Sequence, residues 1–339
     1  MLFDSFAIDG TLQLRNRIVL APLYLALDGR SEAFRAFYIR RAQGGPGLVI
    51  APQSTPGGLD DWADEDADLV AAFRPLIEGC HAAGSKIALQ MFPGGGDVDD
   101  WATQEMETIP ARYARAAQGA QAAGFDAIDV HGAHHSPLMY LLSPLENRRT
   151  DRYGGSAENR LRLQVETVQA IRAAVGPDYP LLYRFSASDF RPGGVDLEVT
   201  APFAQALEAA GVDCMDVSAG GLYPEAGAHP GRRMPPGCFA ELAGGIRAAV
   251  DVPVIVVGKI ATRDVAESIL EQGQADLVAL GRSLIADPDW PNKLYEGRED
   301  EIVPCLWENA GCLRNSISVG KPLRCIQNPE AGLERLPAN

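Results

Sequence analysis

A rhythm in the sequence limits what this chain can become. Short runs dominated by Val, Ile and Leu alternate with longer amphipathic stretches. RIVLAPL (17–23) precedes SEAFRAFYIRRA, LVIAPQ (48–53) precedes ADLVAAFRPLIEGCHAAG, and KIALQMF (86–92) precedes ARYARAAQGAQAAG. AIDVHGAH (127–134) precedes SAENRLRLQVETVQAIRAAVG, PLLYRFSA (180–187) precedes TAPFAQALEAAG, and CMDVSAG (214–220) precedes CFAELAGGIRAAV. VPVIVVGK (252–259) with TRDVAESILEQG, and then DLVALGRSLI (276–285), complete the series. Runs that are apolar at nearly every position belong to strands covered on both faces, as in parallel sheets. Eight such units within roughly 290 residues match a (β/α)8 barrel. A doubly wound sheet is the second choice, but no glycine-rich dinucleotide fingerprint follows the first strand. The expected fold is therefore α/β: a (β/α)8 TIM barrel over 1–290, then a short cysteine-containing extension over 291–339. Several helical stretches close in Ala-Gly or Gln-Gly, where glycine is expected to take the left-handed capping conformation.

Composition excludes some partners. The 339 residues are 46% hydrophobic and 22% charged, with a formal net charge of −15. No basic patch is evident to neutralise phosphates, so no nucleic-acid partner is expected. The start, MLFDSFAIDG, lacks a basic n-region, and no apolar run reaches membrane-spanning length. The expectation is a soluble cytoplasmic protein without a membrane partner. In that reducing compartment the six cysteines are not expected to form structural disulfides.

Barrels of this kind carry their chemistry at the C-terminal strand ends. Those ends read Pro22-Leu23-Tyr24, Gln53, Gln90, His131 with His134, Arg184, Ser218, Gly258-Lys259 and Gly281-Arg282. The last two strands both end in glycine plus a basic residue. Barrels often bind phosphate there, because glycine admits close backbone N–H groups and the base adds charge; ordinary turn residues are the alternative. His131 and His134 are three apart, a spacing that in a helical turn puts both rings on one side. Two ring N–H groups converging on one oxygen would polarise a carbonyl and stabilise enolate charge. A structural histidine or a His-x-x-His metal pair are the other readings, and no nearby carboxylate or cysteine offers a third ligand. The polar stretch NRRTDRYGG (147–155) reads as a loop bracing the active-site strand, with Ser156 as a helix N-cap.

The segment HGAHHSPLMYLLSPLENRRTDRYGGSAENRLRL, from His131, resembles the signature of the old yellow enzyme family, FMN-dependent NADH:flavin oxidoreductases and ene-reductases on a (β/α)8 barrel. LRNRIVLAPL, the ALQ ending at Gln90, YRFSASD around Arg184 and ALGRSLIADPDWPNK from Ala279 fit as well, so the likeness spans essentially the whole chain. It is nearest the barrel domain of the 2,4-dienoyl-CoA reductase and trimethylamine dehydrogenase branch. The resemblance implies that Pro22, Leu23 and Tyr24 lie against the flavin ring, with Gln53 in the same site. Gln90 and Arg184 would face the pyrimidine edge, where a cation eases reduction. Gly258, Lys259, Gly281 and Arg282 would hold the phosphate. His131 and His134 would bind a small substrate's carbonyl while hydride passes from flavin N5 to an activated alkene. NADH or NADPH would reduce the flavin in the same pocket, and branch relatives suggest a homo-oligomer.

Departures from the pattern matter as much. Ser136 stands where the family carries a proton-donating tyrosine, and an aliphatic hydroxyl is a far weaker acid than a phenol. Tyr24, Tyr140 or a water must then supply the proton, or hydride abstraction is the working direction, as in a dehydrogenase or demethylase. Tyr24 replaces a small threonine or cysteine; its phenol could tune the flavin's potential, narrow the pocket or act as the displaced acid, with simple pocket filling as the alternative. The stretch MFPGGGDVDDWATQEMETIPARYARAA is shorter than usual, lacks the customary basic residues, and carries three glycines that imply a mobile loop. The tail PCLWENAGCLRNSISVGKPLRCIQNPEAG resembles an iron–sulfur segment: Cys305, Cys312 and Cys325 match it, but Glu308 occupies the second cysteine position. A carboxylate suits cluster iron poorly, so a degenerate motif with no cluster and no metal is expected; a labile cluster using Glu308 is the alternative. Relatives with the cluster carry a second flavin domain beyond it, and this chain stops at Asn339. A separate flavoprotein would then have to supply electrons by that route. A flavin-binding electron-transfer subunit without independent turnover is the rival function, and a metal-dependent lyase a more distant one.

Overall fold

The computed structural model describes residues 1–63, 67–94, 100–221 and 230–335. The chain opens with a hairpin, β1 (Phe6–Ile8) and β2 (Leu12–Leu14), paired antiparallel. Asp9 and Gly10 turn between them at φ 49° and 67°, the double left-handed step that tight hairpins need. No sequence expectation covered this element, although Asp-Gly between alternating apolar residues is its signal. Eight strands follow: β3 (Ile18–Leu20), β4 (Leu48–Pro52), β5 (Lys86–Met91), β6 (Ala127–Gly132), β7 (Leu181–Ser186), β8 (Cys214–Ser218), β9 (Val254–Val257) and β10 (Leu277–Leu280). They close in the order β10-β3-β4-β5-β6-β7-β8-β9, every pair parallel. Closure makes this a (β/α)8 barrel and removes the doubly wound alternative.

Each strand lies inside an expected run, with one correction at the end. The last run does not continue to Ile285. Its strand stops at Leu280, Gly281 leaves the extended region at φ −106°, ψ −84°, and Arg282–Ala286 is helical. Ser156 caps Ala157–Val175 as expected, its hydroxyl accepting from the Asn159 amide. Gly124 and Gly211 close their helices at φ 100° and 111°. Gly44 does not: it stays at φ −72°, and the left-handed turn comes one residue later at Gly45, φ 110°.

Alternation along the strands sorts the core. Ile8, Leu12 and Leu14 of the hairpin share one cluster with Val19, Ile50, Ala88, Ala127, Leu182, Cys214, Ile255 and Leu277. These are the barrel's inward residues, so the hairpin plugs its N-terminal mouth. The intervening residues, among them Leu20, Val49, Leu89, Val130, Phe185 and Val256, pack against the helices. Successive side chains point to opposite faces, so i+2 and i+4 continue inward and upward. On β5 to β8 this progression turns polar: Ala88 then Gln90; Ala127, Asp129, His131; Leu182, Arg184, Ser186; Cys214, Asp216, Ser218. The upper interior is thereby charged on one side.

Beyond residue 290 the chain packs back onto the barrel. The Leu323 amide donates to the Leu25 carbonyl at 3.0 Å, and Asn328 Nδ2 donates to Ile285 O at 3.0 Å. Glu334 meets the fully buried Arg41 at 2.6 Å, whose guanidinium also lies 3.4 Å from the Phe37 ring centre. No helix among the described residues is long and apolar enough to cross a membrane.

Candidate active site

At the C-terminal mouth lies a cavity of about 620 Å³, and every residue expected to bind cofactor or substrate lines it: Pro22, Leu23, Tyr24, Gln53, Gln90, His131, His134, Arg184, Gly258, Lys259, Gly281 and Arg282. Its volume suits a cofactor with a small ligand beside it.

The floor is a buried polar ladder. Arg184 Nη1 donates to Asp216 Oδ2 at 2.7 Å, and Gln90 Nε2 donates to Asp129 Oδ2 at 2.7 Å. Strand register sets these neighbours, pairing Gln90 with Asp129, His131 with Arg184, and Arg184 with Asp216. Burial and the Asp216 charge push the Asp129 carboxyl well above its usual range. Burial also raises Asp216, against the opposing pull of Arg184.

The histidines meet by a route the spacing did not predict. His131 belongs to β6, not to a helical turn. The chain leaves the strand at Gly132, where a Cβ would stand 2.4 Å from the Tyr183 hydroxyl, and His134 adopts φ 58°. That left-handed step brings the ring centres to 5.6 Å, their planes 51° apart. Hydroxyls on β7 and β8 hold His134: its amide donates to Ser186 Oγ at 3.0 Å, and its Nε2 lies 2.8 Å from Ser218 Oγ. Among the described residues, His131 Nδ1 is buried without a partner. Burial and the Arg184 charge lower His131 to about 3, so the ring is neutral at physiological pH.

Ser136 is a helix cap. Its hydroxyl donates to His131 O at 2.9 Å and accepts from the Leu138 amide at 3.3 Å, starting Pro137–Leu142. Of the tyrosines named as replacement acids, Tyr24 lines the cavity and Tyr140 does not. The loop at 147–155 is hydrogen-bonded to the helix that follows the active-site strand and to itself: Asn147 Nδ2 donates to the carbonyls of Leu141 and Tyr153 at 2.7 and 2.8 Å. Asp151 accepts from Thr103 at 2.5 Å and pairs with Arg149. Of the three glycines after Gln90, Gly95 and Gly96 lie outside the described residues.

The opposite end is cationic. Lys259 Nζ donates to the carbonyls of Arg232, at 2.9 Å, and Met234. Arg282 Nη1 donates to Pro230 O at 2.8 Å and to Asn309 Oδ1 at 2.7 Å. Among the described residues neither cation pairs with a carboxylate, which is notable in a chain of net charge −15. Gly281 opens the helix Arg282–Ala286, whose first amides have no intrahelical acceptor. Gly258 sits at φ 138°, a conformation that favours glycine independently of any ligand, and a Cβ there would stand 3.0 Å from Phe239.

Sequence reasoning missed several wall residues: Phe92, Phe239 and, from the tail, Trp307, Leu313 and Ile317. Nothing in the tail's spacing signals that it covers the mouth. Its cysteines Cys305, Cys312 and Cys325 are free thiols, and burial raises the first two. Glu308 turns to Arg232 at 3.1 Å. Among the described residues no group of three or more His, Cys, Asp or Glu side chains is arranged to hold a metal.

The donor set fits FMN. Gln53 Oε1 is a buried acceptor without a partner among the described residues, while its Nε2 donates to Phe92 O at 2.7 Å. An unpaired amide oxygen, Gln90 and a buried guanidinium suit a flat ring whose edge alternates carbonyl and N–H groups. Two cations that meet no carboxylate among the described residues suit a phosphate at the far end.

Comparison with known proteins agrees with this geometry. The chain matches the NADH:flavin oxidoreductase / NADH oxidase family over residues 1–108 and 101–301. It is 38% identical over 361 residues to an NADH oxidase of Thermoanaerobacter brockii, covering 96% of this chain and 55% of that protein. An NADPH dehydrogenase of Geobacillus sp. (strain WCH70) is 33% identical over 326 residues, covering 86% of this chain and 92% of that one. In structure, the chain resembles the old yellow enzyme homologue from Zymomonas mobilis, with a TM-score of 0.74, 22% identity and 99% of each chain covered. The chain spans about half the length of several curated relatives that it matches. With that family model matching residues 1–108 and 101–301, the chain belongs to the NADH:flavin oxidoreductase / NADH oxidase family.

Proposed function

We propose that this barrel is an FMN-dependent oxidoreductase that uses NADH or NADPH to reduce a small alkene conjugated to a carbonyl group. The carrying observation is the His131–His134 pair, 5.6 Å apart, in one cavity with Arg184 and the Lys259–Arg282 end. Bound FMN would supply the two-electron carrier, taking hydride from the nicotinamide and returning it to an electrophilic carbon. The protein supplies placement and charge. A neutral His131 can donate to a substrate oxygen without carrying charge of its own, and His134 is aimed by Ser218 and Ser186. Arg184, tethered to Asp216, would present its guanidinium N–H groups to the edge of the ring. Tyr24 delivers the proton that Ser136 cannot, because the serine hydroxyl is spent on His131 O.

A purified chain that is yellow and gives a long-wavelength band with a phenol supports this reading; a folded, colourless protein that takes up no FMN overturns it. Anaerobic mixing of the reduced protein with an unsaturated ketone fixes the direction. Rapid reoxidation means alkene reduction, and inertness with FMN intact means oxidation of a substrate or transfer of electrons to a partner. Six free cysteines support a reducing, cytoplasmic location. Self-association and a separate electron-supplying flavoprotein rest on the family resemblance alone.

Three further outcomes follow from the site. Tyr24→Phe is expected to slow alkene reduction about 10²-fold, the lower range for a positioned acid, and to leave the nicotinamide half-reaction unchanged in stopped flow. Ser136→Ala is expected to cost about 0.5–2 kcal/mol of stability as a lost N-cap, with turnover nearly intact. Phenol binding should show no inflection between pH 5.5 and 8 from His131, because that ring titrates at about 3. The stability consequence has a definite sign. The unfolded ring takes a proton near 6.5 and the folded one does not, so His131 erodes stability as pH falls from about 6.5 to about 3.

A further inference from the structure

We propose that Trp307, in the C-terminal tail, is the positioning residue for the two phosphate-facing cations and gives this site its preference for phosphorylated flavin. The inference rests on the FMN reading above and concerns a residue that no sequence signal singled out. One indole serves both cations: Arg282 Cζ lies 4.6 Å from its ring centre and Lys259 Nζ 5.8 Å. Both distances are within reach of cation–π attraction, which strengthens when the partners are desolvated. The same ring forms part of the cavity wall. The carbonyls of Pro230 and Arg232 also accept from the two heads.

Carbonyls and a π-face orient a cation without neutralising it, so both charges stay available to a dianion. A carboxylate in either place would cancel them. The backbone around the indole is unusual in a matching way. Trp307 and Asn309 both adopt φ 60°, a region that asparagine tolerates and a bulky side chain does not. Such an outlier persists where the surroundings over-determine it. Here the ring is pinned by the two cations, and Asn309 Oδ1 accepts from Arg282 at 2.7 Å. In this chain the cysteine-bearing tail thus acts as a clasp over the phosphate end of the cavity.

Titration of the full chain, freed of bound flavin, with FMN and with riboflavin tests this by fluorescence quenching, with no turnover needed. Trp307→Ala is expected to weaken FMN binding about tenfold while riboflavin binding stays unchanged, so the preference between them falls about tenfold. Trp307→Phe keeps a π-face and should retain most of that preference. If the alanine variant does not fold, Asn309→Ala, which frees one side of Arg282, should show the same selective loss on FMN. Equal weakening of both flavins, or none, overturns the assignment and leaves Trp307 as plain wall. A folded wild-type chain that binds neither flavin overturns the FMN reading itself, a result distinguishable from the first.

Discussion

Replacing Arg184 with methionine is expected to lower the unfolding free energy by about 3–5 kcal/mol, because it leaves Asp216 buried without its counter-charge. The pair is almost fully withdrawn from water, with side-chain exposures of 6% and 0% and a separation of 2.7 Å. The unpaired Asp216 Oδ1 makes the carboxylate depend on that one guanidinium. The loss should vary with pH in a defined direction. Without Arg184 the folded carboxyl titrates well above its unfolded value of about 3.9. Its stability contribution is then intact below that value and disappears as pH rises toward the folded one. Arg184→Met should therefore resemble the wild type most near pH 4 and fall furthest behind near neutrality. The double variant Arg184→Met/Asp216→Asn removes the charge as well and should recover much of the deficit. Urea unfolding midpoints at several pH values measure this. An Arg184→Met midpoint equal to wild type at pH 7 would show that the ladder carries no such coupling.

The second large effect concerns chemistry. His131→Ala/His134→Ala is expected to reduce kcat/KM for an unsaturated ketone by about 10³-fold, since loss of one preorganised donor costs about 10²–10³-fold. The long-wavelength phenol band should vanish with it. FMN content should persist, because the cofactor end is built from other strands. The two single variants should not add up to the double, as donors to one oxygen act together. Of the two, His134→Ala also strips the partner from Ser218 Oγ, so a small loss of thermal stability should accompany it. Unchanged ketone reduction in the double variant would place the substrate oxygen elsewhere in the cavity.

The barrel was legible because its evidence is local. Each strand announced itself as a short Val, Ile and Leu run, and pleating alone decides that Ala127, Asp129 and His131 share one face. The C-terminal ends of such strands converge by topology, so twelve residues scattered from Pro22 to Arg282 could be gathered into one site before any coordinates. Local signals also failed in instructive places. The hairpin's Asp9-Gly10 turn was readable but lay outside the eightfold rhythm. The His-x-x-His spacing pointed to the right outcome for the wrong reason, since convergence depends on one left-handed residue, His134, after a glycine crowded by Tyr183.

By itself, then, the amino-acid order determined the barrel and the polar rim, since alternation and chain closure leave little freedom. Only the tertiary structure decided that Glu308 faces Arg232 and that Trp307 folds over Lys259 and Arg282. Those outcomes depend on contacts between segments tens of residues apart, and no periodicity within a segment records where its distant partner will be.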